Sequence, residues 1–222
     1  MLQATTLNFL AALKQNNHRD WFEKNRKRYE AAKADFEEFT AKVLAQLGKT
    51  DAGITHLQPK DCLFRINRDV RFSKDKSPYK TNFGMGISKG GKKGNDAGYY
   101  LHCEPGNAFV GGGLWMPMAP ELKKVRQEID YCFKEFKAII SSKKFKLVYG
   151  NVNKNPENSL TRPPKGYDEN NPAIAYIKLK GFVGMAPLAD ADLLGKDAVK
   201  KAVSAFEALK PLLDFLNRAL EA

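Results

Sequence analysis

The chain of 222 residues carries a formal charge of +12, has a pI of about 9.5, and contains 43% hydrophobic and 28% charged residues. This length suffices for one large or two small domains with a buried core, and the composition excludes a disordered chain. No run of about 18 apolar residues is present that would span a membrane, and the first residues lack the pattern of a secretory signal.

The first fifty residues predict two helices. Thr6 is placed to cap a short helix over residues 7–14. Asp20 begins a longer helix, because the apolar residues that follow it are spaced three, four or seven apart. Gly48 predicts where this longer helix ends.

Between residues 61 and 116 the pattern changes to short strands and turns. CLFRI (62–66) and FGMGIS (83–88) are each predicted to form a strand, and KGGKKGND (89–96) is predicted to form a flexible basic turn. Two further strands are predicted around Pro105-Gly106.

The remainder predicts mainly helices. The predictions are a helix from Pro120 to Ile140, an irregular loop over 150–171, a short helix at 173–180, a strand at 182–188 and an amphipathic C-terminal helix. Helices, then antiparallel strands, then helices predict an α+β fold. We expect a single domain over residues 1–222, with a central antiparallel sheet flanked by N-terminal and C-terminal helices.

The hairpin around Pro105-Gly106 is predicted to have one core face and one polar face, since side chains alternate along a strand. If Glu104 lies opposite Asn107, the polar face carries Tyr100, His102, Glu104, Asn107, Phe109, Gly111, Gly113 and Trp115. The core face carries Tyr99, Leu101, Cys103, Ala108, Val110, Gly112 and Leu114.

The three consecutive glycines at 111–113 have two interpretations, because glycine in a strand marks close approach of another group. They form either a bare floor for a ligand, walled by Phe109 and Trp115, or a place where a helix or a ring such as Tyr100 packs closely. His102 and Glu104 likewise form either an acid–base pair or an ordinary hydrogen bond.

The charged segment, which we define as residues 65–80, also leaves two alternatives open. In the first, its arginines and lysines converge on an anion. In the second, Asp69, Asp75 and Glu104 neutralise the arginines in a structural lattice. Residues 60–93 contain ten Lys or Arg and three Asp, an excess of seven positive charges. This excess favours a surface that attracts anions.

The cysteines and histidines predict no metal centre. Cys62, Cys103 and Cys132 are far apart and odd in number, and His18, His56 and His102 share no metal-ligand spacing. The thiols indicate a reducing cytoplasm. No nucleotide-binding or hydrolase motif is present, so no cofactor is predicted, and the sequence leaves the oligomeric state open.

Four stretches of the chain resemble a known family: RDWFEKNRKRYE, FRINRDVRFSKDKSPYKTNFG, GYYLHCEPGNAFVGGGLWMP and LTRPPKGYD. This family is domain of unknown function 2461. The resemblance covers nearly the whole chain and implies a single domain. It places the recurrent charged motif on Arg65, Arg68, Asp69, Arg71, Phe72, Lys76, Pro78, Tyr79 and Lys80. The family carries no established activity, so the resemblance does not decide the function.

The first hypothesis is a site for an anionic, phosphate-bearing ligand. The candidate ligand-binding residues are Arg65, Arg68, Arg71, Lys76, Tyr79, Lys80, Tyr100, Phe109, Trp115, Arg162 and Lys165. The acid–base candidates, should the protein be an enzyme, are His102, Glu104 and Asp69. Two rivals are non-specific nucleic-acid binding by a basic face with interleaved aromatic residues, and an interaction or structural protein whose charged segment is an internal lattice.

Overall fold

The computed structural model describes residues 1–221. The helices are α1 (Ala4–Gln15), α2 (Arg19–Lys24), α3 (Arg26–Leu47), α4 (Pro59–Cys62), α5 (Ala119–Tyr131), α6 (Phe133–Ser141), α7 (Lys143–Tyr149), α8 (Ile174–Ile177), α9 (Asp190–Leu194) and α10 (Ala198–Glu221). The strands β1 (Phe83–Ile87), β2 (Gly98–Cys103), β3 (Ala108–Leu114) and β4 (Phe182–Leu188) form an antiparallel sheet in the order β1-β2-β3-β4. This architecture confirms the predicted α+β class.

Two compact units share the chain. The first unit comprises Met1–Lys93, Tyr100–Val110 and Pro187–Ser204. The second comprises Gly94–Tyr99, Gly111–Ala186 and the residues from Ala205 onward. A single domain over residues 1–222 therefore stays a prediction. Within residues 1–221, no helix has the length and apolar character needed to cross a membrane.

In the first unit, α1 packs against α3. Thr6 lies inside α1 and not at its start, so the predicted cap is wrong. Its buried hydroxyl instead donates a hydrogen bond of 2.5 Å to Asp35 Oδ2 on α3. The rings of Phe9, Phe22 and Tyr29 contact one another beside this bond.

The long helix predicted from Asp20 is interrupted at Asn25. There α2 ends and α3 begins, and the Asn25 side chain donates to the Trp21 carbonyl at 2.9 Å. Asparagine favours such breaks because its amide competes for backbone partners. Gly48 follows the last residue of α3, which confirms the predicted end.

The predicted strand CLFRI does not form. Cys62 is the last residue of α4, whose first turn is stabilised by Asp61 Oδ2 accepting from the Gln58 N–H at 2.9 Å. Leu63 makes one isolated bridge with Met85, and the Phe64 N–H donates to the Gly84 carbonyl at 3.1 Å. Residues 62–66 thus contact β1 without extending along it as a strand. The strand predicted at FGMGIS is confirmed by β1 itself.

The hairpin of β2 and β3 has the predicted register. The Asn107 N–H donates to the Glu104 carbonyl at 3.0 Å, and the rings of His102 and Phe109 stack with centroids 4.8 Å apart. Burial alternates along β2, and the predicted core residues Tyr99, Leu101, Cys103, Ala108, Val110 and Leu114 are buried. The two predicted faces are confirmed except at the glycine run, where Gly111 of the polar face is buried and Gly112 of the core face is only partly buried.

The glycine run of β3 is packed tightly within the second unit. An added Cβ at Gly112 would lie 2.6 Å from Leu209 Cδ2 and 2.9 Å from Tyr99 Cα. At Gly113, where φ is +128°, it would lie 2.9 Å from Val183 Cα. These contacts favour the close-packing interpretation over a ligand floor, and the covering groups are strand backbone and α10 in place of the suggested Tyr100 ring.

The C-terminal part of the chain agrees with prediction at β4, α8 and α10. The helix predicted from Pro120 to Ile140 is divided at Cys132 into α5 and α6, while α7 and α9 were not predicted. In the second unit the Phe215 ring of α10 contacts Phe136 of α6.

The three cysteines are free thiols. Cys62 and Cys103 are buried, and Cys132 is partly exposed. Burial, with a smaller contribution from Asp61, raises the pKa of Cys62 to about 11, and burial likewise raises the pKa of Cys103 to about 12. The two buried thiols are therefore uncharged at neutral pH.

Candidate functional site

Two short ion pairs organise the charged segment, and the first joins Asp69 to Arg71. Arg71 Nε donates to Asp69 Oδ1 at 3.0 Å, and a terminal nitrogen donates to Oδ2 at 2.6 Å. This bidentate contact lowers the pKa of the Asp69 carboxyl. Both side chains are exposed, so the pair shapes the local chain only.

The second pair joins Arg68 to Asp75. The Arg68 guanidinium donates to Asp75 Oδ2, and it lies 3.3 Å from both the Ser77 carbonyl and Ser73 Oγ. Ser77 donates to Asp75 Oδ1 from its hydroxyl at 2.6 Å and from its N–H at 2.9 Å. The Ser77 bonds, followed by the Arg68 bond, lower the pKa of Asp75 to about 2.

The rest of the segment presents an aromatic ring among cations. Lys76 Nζ donates to the Val70 carbonyl at 3.0 Å and so closes the turn. The side chain of Phe72 is 96% exposed, and the Arg71 guanidinium carbon lies 5.8 Å from its ring centroid. Tyr79, in contrast, is buried, with its ring stacked 3.9 Å from that of Phe22.

On the polar face of β2, Tyr100, His102 and Glu104 form a chain of hydrogen bonds. Tyr100 Oη lies 3.2 Å from His102 Nδ1, and His102 Nε2 lies 3.4 Å from Glu104 Oε2. An ionised carboxylate only accepts, so Nε2 of His102 carries the proton in its contact with Glu104. Burial raises the pKa of Tyr100, which keeps this hydroxyl protonated.

Glu104 is the anchor of this chain. Its side chain is only 12% exposed, and burial alone would raise its pKa. Hydrogen bonds from Asn107, Thr81, His102 and Lys14 outweigh burial and lower the pKa to about 2. Glu104 therefore stays ionised at neutral pH, and it pairs with a lysine of α1 instead of with the arginines that the lattice interpretation assigned to it.

A basic cleft of about 540 Å³ lies in the first unit. It is lined by Tyr29, Lys33, Phe36, Glu37, Lys60, Leu63, Phe64, Arg65, Phe83, Lys92 and Lys93. We refer to it below as the basic cleft. Helix α3, helix α4, the start of the charged segment, β1 and the turn before β2 each contribute to it. Aromatic rings thus form its walls, and five cations surround a single carboxylate.

Most of the positive charge in the basic cleft is uncompensated. Lys33 pairs with Glu37 at 3.3 Å, and Lys92 Nζ donates to the Lys60 carbonyl. Within residues 1–221 the charged groups of Lys60, Arg65 and Lys93 make no hydrogen bond or ion pair. These three cations therefore have no ion-paired or hydrogen-bonded partner within the described chain, and Arg65 interacts only at longer range with Asp69, whose pKa it helps to lower.

The surroundings of Lys80 show the same excess of positive charge next to the basic cleft. Its ammonium lies 5.4 Å from the centroid of Phe64, which lines the basic cleft. Burial and the positive charge of Arg65 lower the pKa of Lys80. The charge of Arg65 thus disfavours the charged form of Lys80, and a bound anion would relieve this repulsion.

A small cleft of about 320 Å³ lies beside Glu104 in the same unit. It is lined by Lys14, Asn17, Arg68, Asp75, Ser77, Tyr79, Lys80, Thr81 and Asn82. Lys14 and Thr81 both donate to Glu104 Oε1, at 3.3 and 2.8 Å. The hydrogen-bonded chain on β2 is thus linked to the small cleft at Glu104 and to the basic cleft at Tyr100, whose ring contacts Phe64 edge-on.

The structure distributes the predicted site residues over both units. Arg65, Arg68, Arg71, Lys76, Tyr79, Lys80, Tyr100, His102, Glu104, Phe109 and Asp69 belong to the first unit. Trp115, Arg162 and Lys165 belong to the second unit, where all three are exposed. Arg65 lines the basic cleft, and Arg68, Tyr79 and Lys80 line the small cleft.

Sequence reasoning missed most of the basic cleft. Tyr29 was assigned to the apolar face of the long predicted helix, Lys33 to the opposite, solvated face, and Lys92 and Lys93 to a flexible turn. Phe64 was part of a predicted strand. Only the local density of lysine and arginine over residues 60–93 pointed to this region.

The described chain, residues 1–221, contains no group of three or more His, Cys, Asp or Glu side chains arranged to hold a metal ion. A family model described as conserved hypothetical protein (DUF2461) matches residues 5–215. Comparison with curated proteins gave no match, and comparison with solved structures gave none either.

Proposed function

The chain belongs to the DUF2461 family of conserved hypothetical proteins, a membership that assigns no activity, and from the site itself we propose that the protein binds an anionic, phosphate-bearing ligand in the basic cleft. The observation that carries this proposal is the set of three unpaired cations, Lys60, Arg65 and Lys93, around a cavity of about 540 Å³. Phosphate oxygens are the natural partners of such a set.

The apolar walls of the basic cleft favour the binding of a charged ligand there. Phe36 and Phe83 are buried, and Tyr29 is half-buried with its pKa raised by burial. Apolar walls reduce the local dielectric and so strengthen each charge–charge interaction. Lys80, whose pKa is lowered by burial and by Arg65, would regain a favourable environment once an anion is bound.

Calorimetric titration with inorganic tripolyphosphate tests this proposal. We expect wild-type protein to bind it and Arg65→Ala to weaken binding about tenfold, the effect of one charge-assisted contact. Arg19→Ala is the matched control, because Arg19 is an exposed arginine of the same unit that lies outside both clefts. Equal affinities in all three proteins, or none in the wild type, would reject the proposal.

A second candidate function is acid–base catalysis on the bound ligand. The Tyr100–His102–Glu104 chain supports it, because an ionised carboxylate that fixes an imidazole tautomer is what proton transfer requires. Wild-type protein should then convert a component of a phosphorylated-metabolite mixture followed by phosphorus NMR. His102→Gln should bind tripolyphosphate normally yet convert nothing. No conversion by the wild type would reject catalysis.

The three free thiols bear on the compartment in which the protein works. Because disulfides form readily in oxidising compartments, we propose that the protein functions in a reducing one such as the cytoplasm. Cys62 and Cys103 are uncharged and buried, so they would serve as core side chains there.

A further inference from the structure

We propose that the anionic ligand is a single-stranded nucleic acid, whose backbone runs from the charged segment to the basic cleft and which stacks a base on Phe72. This inference rests on the proposed function, since it names the class of ligand for the same site. It is argued from the continuity of the cationic surface, from the exposure of one ring and from the charge.

The two clefts and the charged segment are joined by direct contacts within the first unit. Arg68 lines the small cleft and lies 3.3 Å from Ser73 Oγ, next to Phe72 in the chain. Lys80 lines the small cleft too, and its ammonium lies 5.4 Å from the Phe64 ring, which lines the basic cleft. Arg68 and Lys80 therefore lie between the exposed ring of Phe72 and the basic cleft as a series of neighbouring side chains.

Phe72 is exposed on a backbone that is held in place. The ion pairs Asp69–Arg71 and Arg68–Asp75 flank it, and Lys76 closes the turn on the Val70 carbonyl. These bonds fix the chain on both sides of Phe72, which is 96% exposed and has the Arg71 guanidinium beside its ring. A fixed aromatic ring with an adjacent arginine is suited to stacking on a nucleobase.

The arrangement favours a single strand over other polyanions. A single strand exposes both phosphates and base faces, whereas a duplex hides its base faces in the stack. An acidic peptide would use the cations and not the base-stacking ring, and a flat bilayer that took up the ring would not reach the cations inside the basic cleft. Residues 65–80 hold six Lys or Arg against two Asp, so charge complementarity to a phosphate backbone is provided along the segment.

Fluorescence anisotropy with a labelled deoxythymidine oligomer of about 12 nucleotides, a length typical of such sites, tests the inference. We expect Phe72→Ala to weaken oligomer binding about tenfold, the loss of one stacked base, and to leave tripolyphosphate binding unchanged. Tyr131→Ala, which removes an exposed aromatic ring of the second unit, is the matched control and should bind like the wild type. Arg65→Ala should weaken both ligands.

The outcomes separate the two proposals. If tripolyphosphate binds and the oligomer does not, the nucleic-acid inference falls and the anion site stands; if neither binds, both fall. If Phe72→Ala binds the oligomer as tightly as the wild type, stacking is rejected. Competition by polyglutamate or by phosphatidylserine vesicles as strong as that by unlabelled oligomer would also overturn the inference. Binding that weakens steeply with added salt and depends on Phe72 supports it.

Discussion

Two carboxylates of the first unit accept a hydroxyl hydrogen bond of similar length in very different surroundings. Thr81 Oγ1 donates to Glu104 Oε1 at 2.8 Å, and Ser77 Oγ donates to Asp75 Oδ1 at 2.6 Å. Both carboxyls have a pKa of about 2. Glu104 is 12% exposed, whereas the Asp75 side chain is 61% exposed.

The difference lies in how far along the chain the donors come from. Glu104 is contacted by Lys14, 90 residues away, and by Thr81, 23 residues away. Within the part of the chain that the structure describes, the hydrogen bonds to Asp75 come from Ser77 and Arg68, two and seven residues away. Equal pKa values therefore conceal unequal roles, because Glu104 joins distant segments of the first unit while Asp75 shapes one loop.

The largest effect is expected for Glu104→Gln. Its pKa is lowered from 4.5 to about 2 by hydrogen bonds that outweigh burial, a difference that corresponds to at most about 3 kcal/mol of unfolding free energy. Urea unfolding at pH 7 should show that the unfolding free energy of the variant is lower than that of the wild type by an amount that approaches this limit. Glu23→Gln, at an exposed glutamate of the same unit, is the control and should unfold like the wild type.

The same variant has a defined pH dependence. A lowered folded-state pKa gives stability that is complete above the unfolded value and is lost as the pH falls through the folded value. The difference between wild type and Glu104→Gln should therefore shrink between pH 4.5 and about 2. A difference that stays constant over this range would show that Glu104 stabilises the first unit in some other way than through its charge.

A smaller effect is expected for Thr81→Val, which keeps the shape of the side chain and removes one donor to Glu104. Loss of a hydrogen bond to a charged acceptor corresponds to about 1.5 kcal/mol of unfolding free energy. In the Glu104→Gln background, Thr81→Val should lower the unfolding free energy by less, because the charged acceptor is gone. Strictly additive losses in the double variant would contradict a direct bond between the two side chains.

The smallest effect on stability is expected for Ser77→Ala. The Ser77 bonds are the largest cause of the lowered pKa of Asp75, so carbon NMR titration should show that this pKa rises toward 3.8. The unfolding midpoint should change less than in Thr81→Val, because the whole cluster is local and exposed. A larger loss than in Thr81→Val would instead make the charged segment a structural lattice.

Sequence reasoning succeeded where a pattern is local. The alternation along GYYLHC and the turn at Pro105-Gly106 predicted both faces of the hairpin, and Gly48 predicted the end of α3. The excess of lysine and arginine over residues 60–93 predicted where cations gather, because the basic cleft draws four of its five cations from this range.

It failed where distant segments meet. Lys33 of α3 reaches the basic cleft only because α3 packs near β1, and no spacing in the sequence encodes that contact. The glycine run of β3 is explained by Leu209, almost a hundred residues later. The breaks at Asn25 and Cys132 were missed because the apolar period continues across both, so the pattern alone indicates one helix.

The buried, uncharged thiols of Cys62 and Cys103 can report when different parts of the first unit open. Alkylation requires a thiolate that attacks the reagent, so both cysteines should resist modification until the chain around them opens. Cys62 ends α4 next to the basic cleft, whereas Cys103 lies on the core face of β2. The order in which the two sulfur atoms become labelled would thus time the opening of the cleft wall against that of the core.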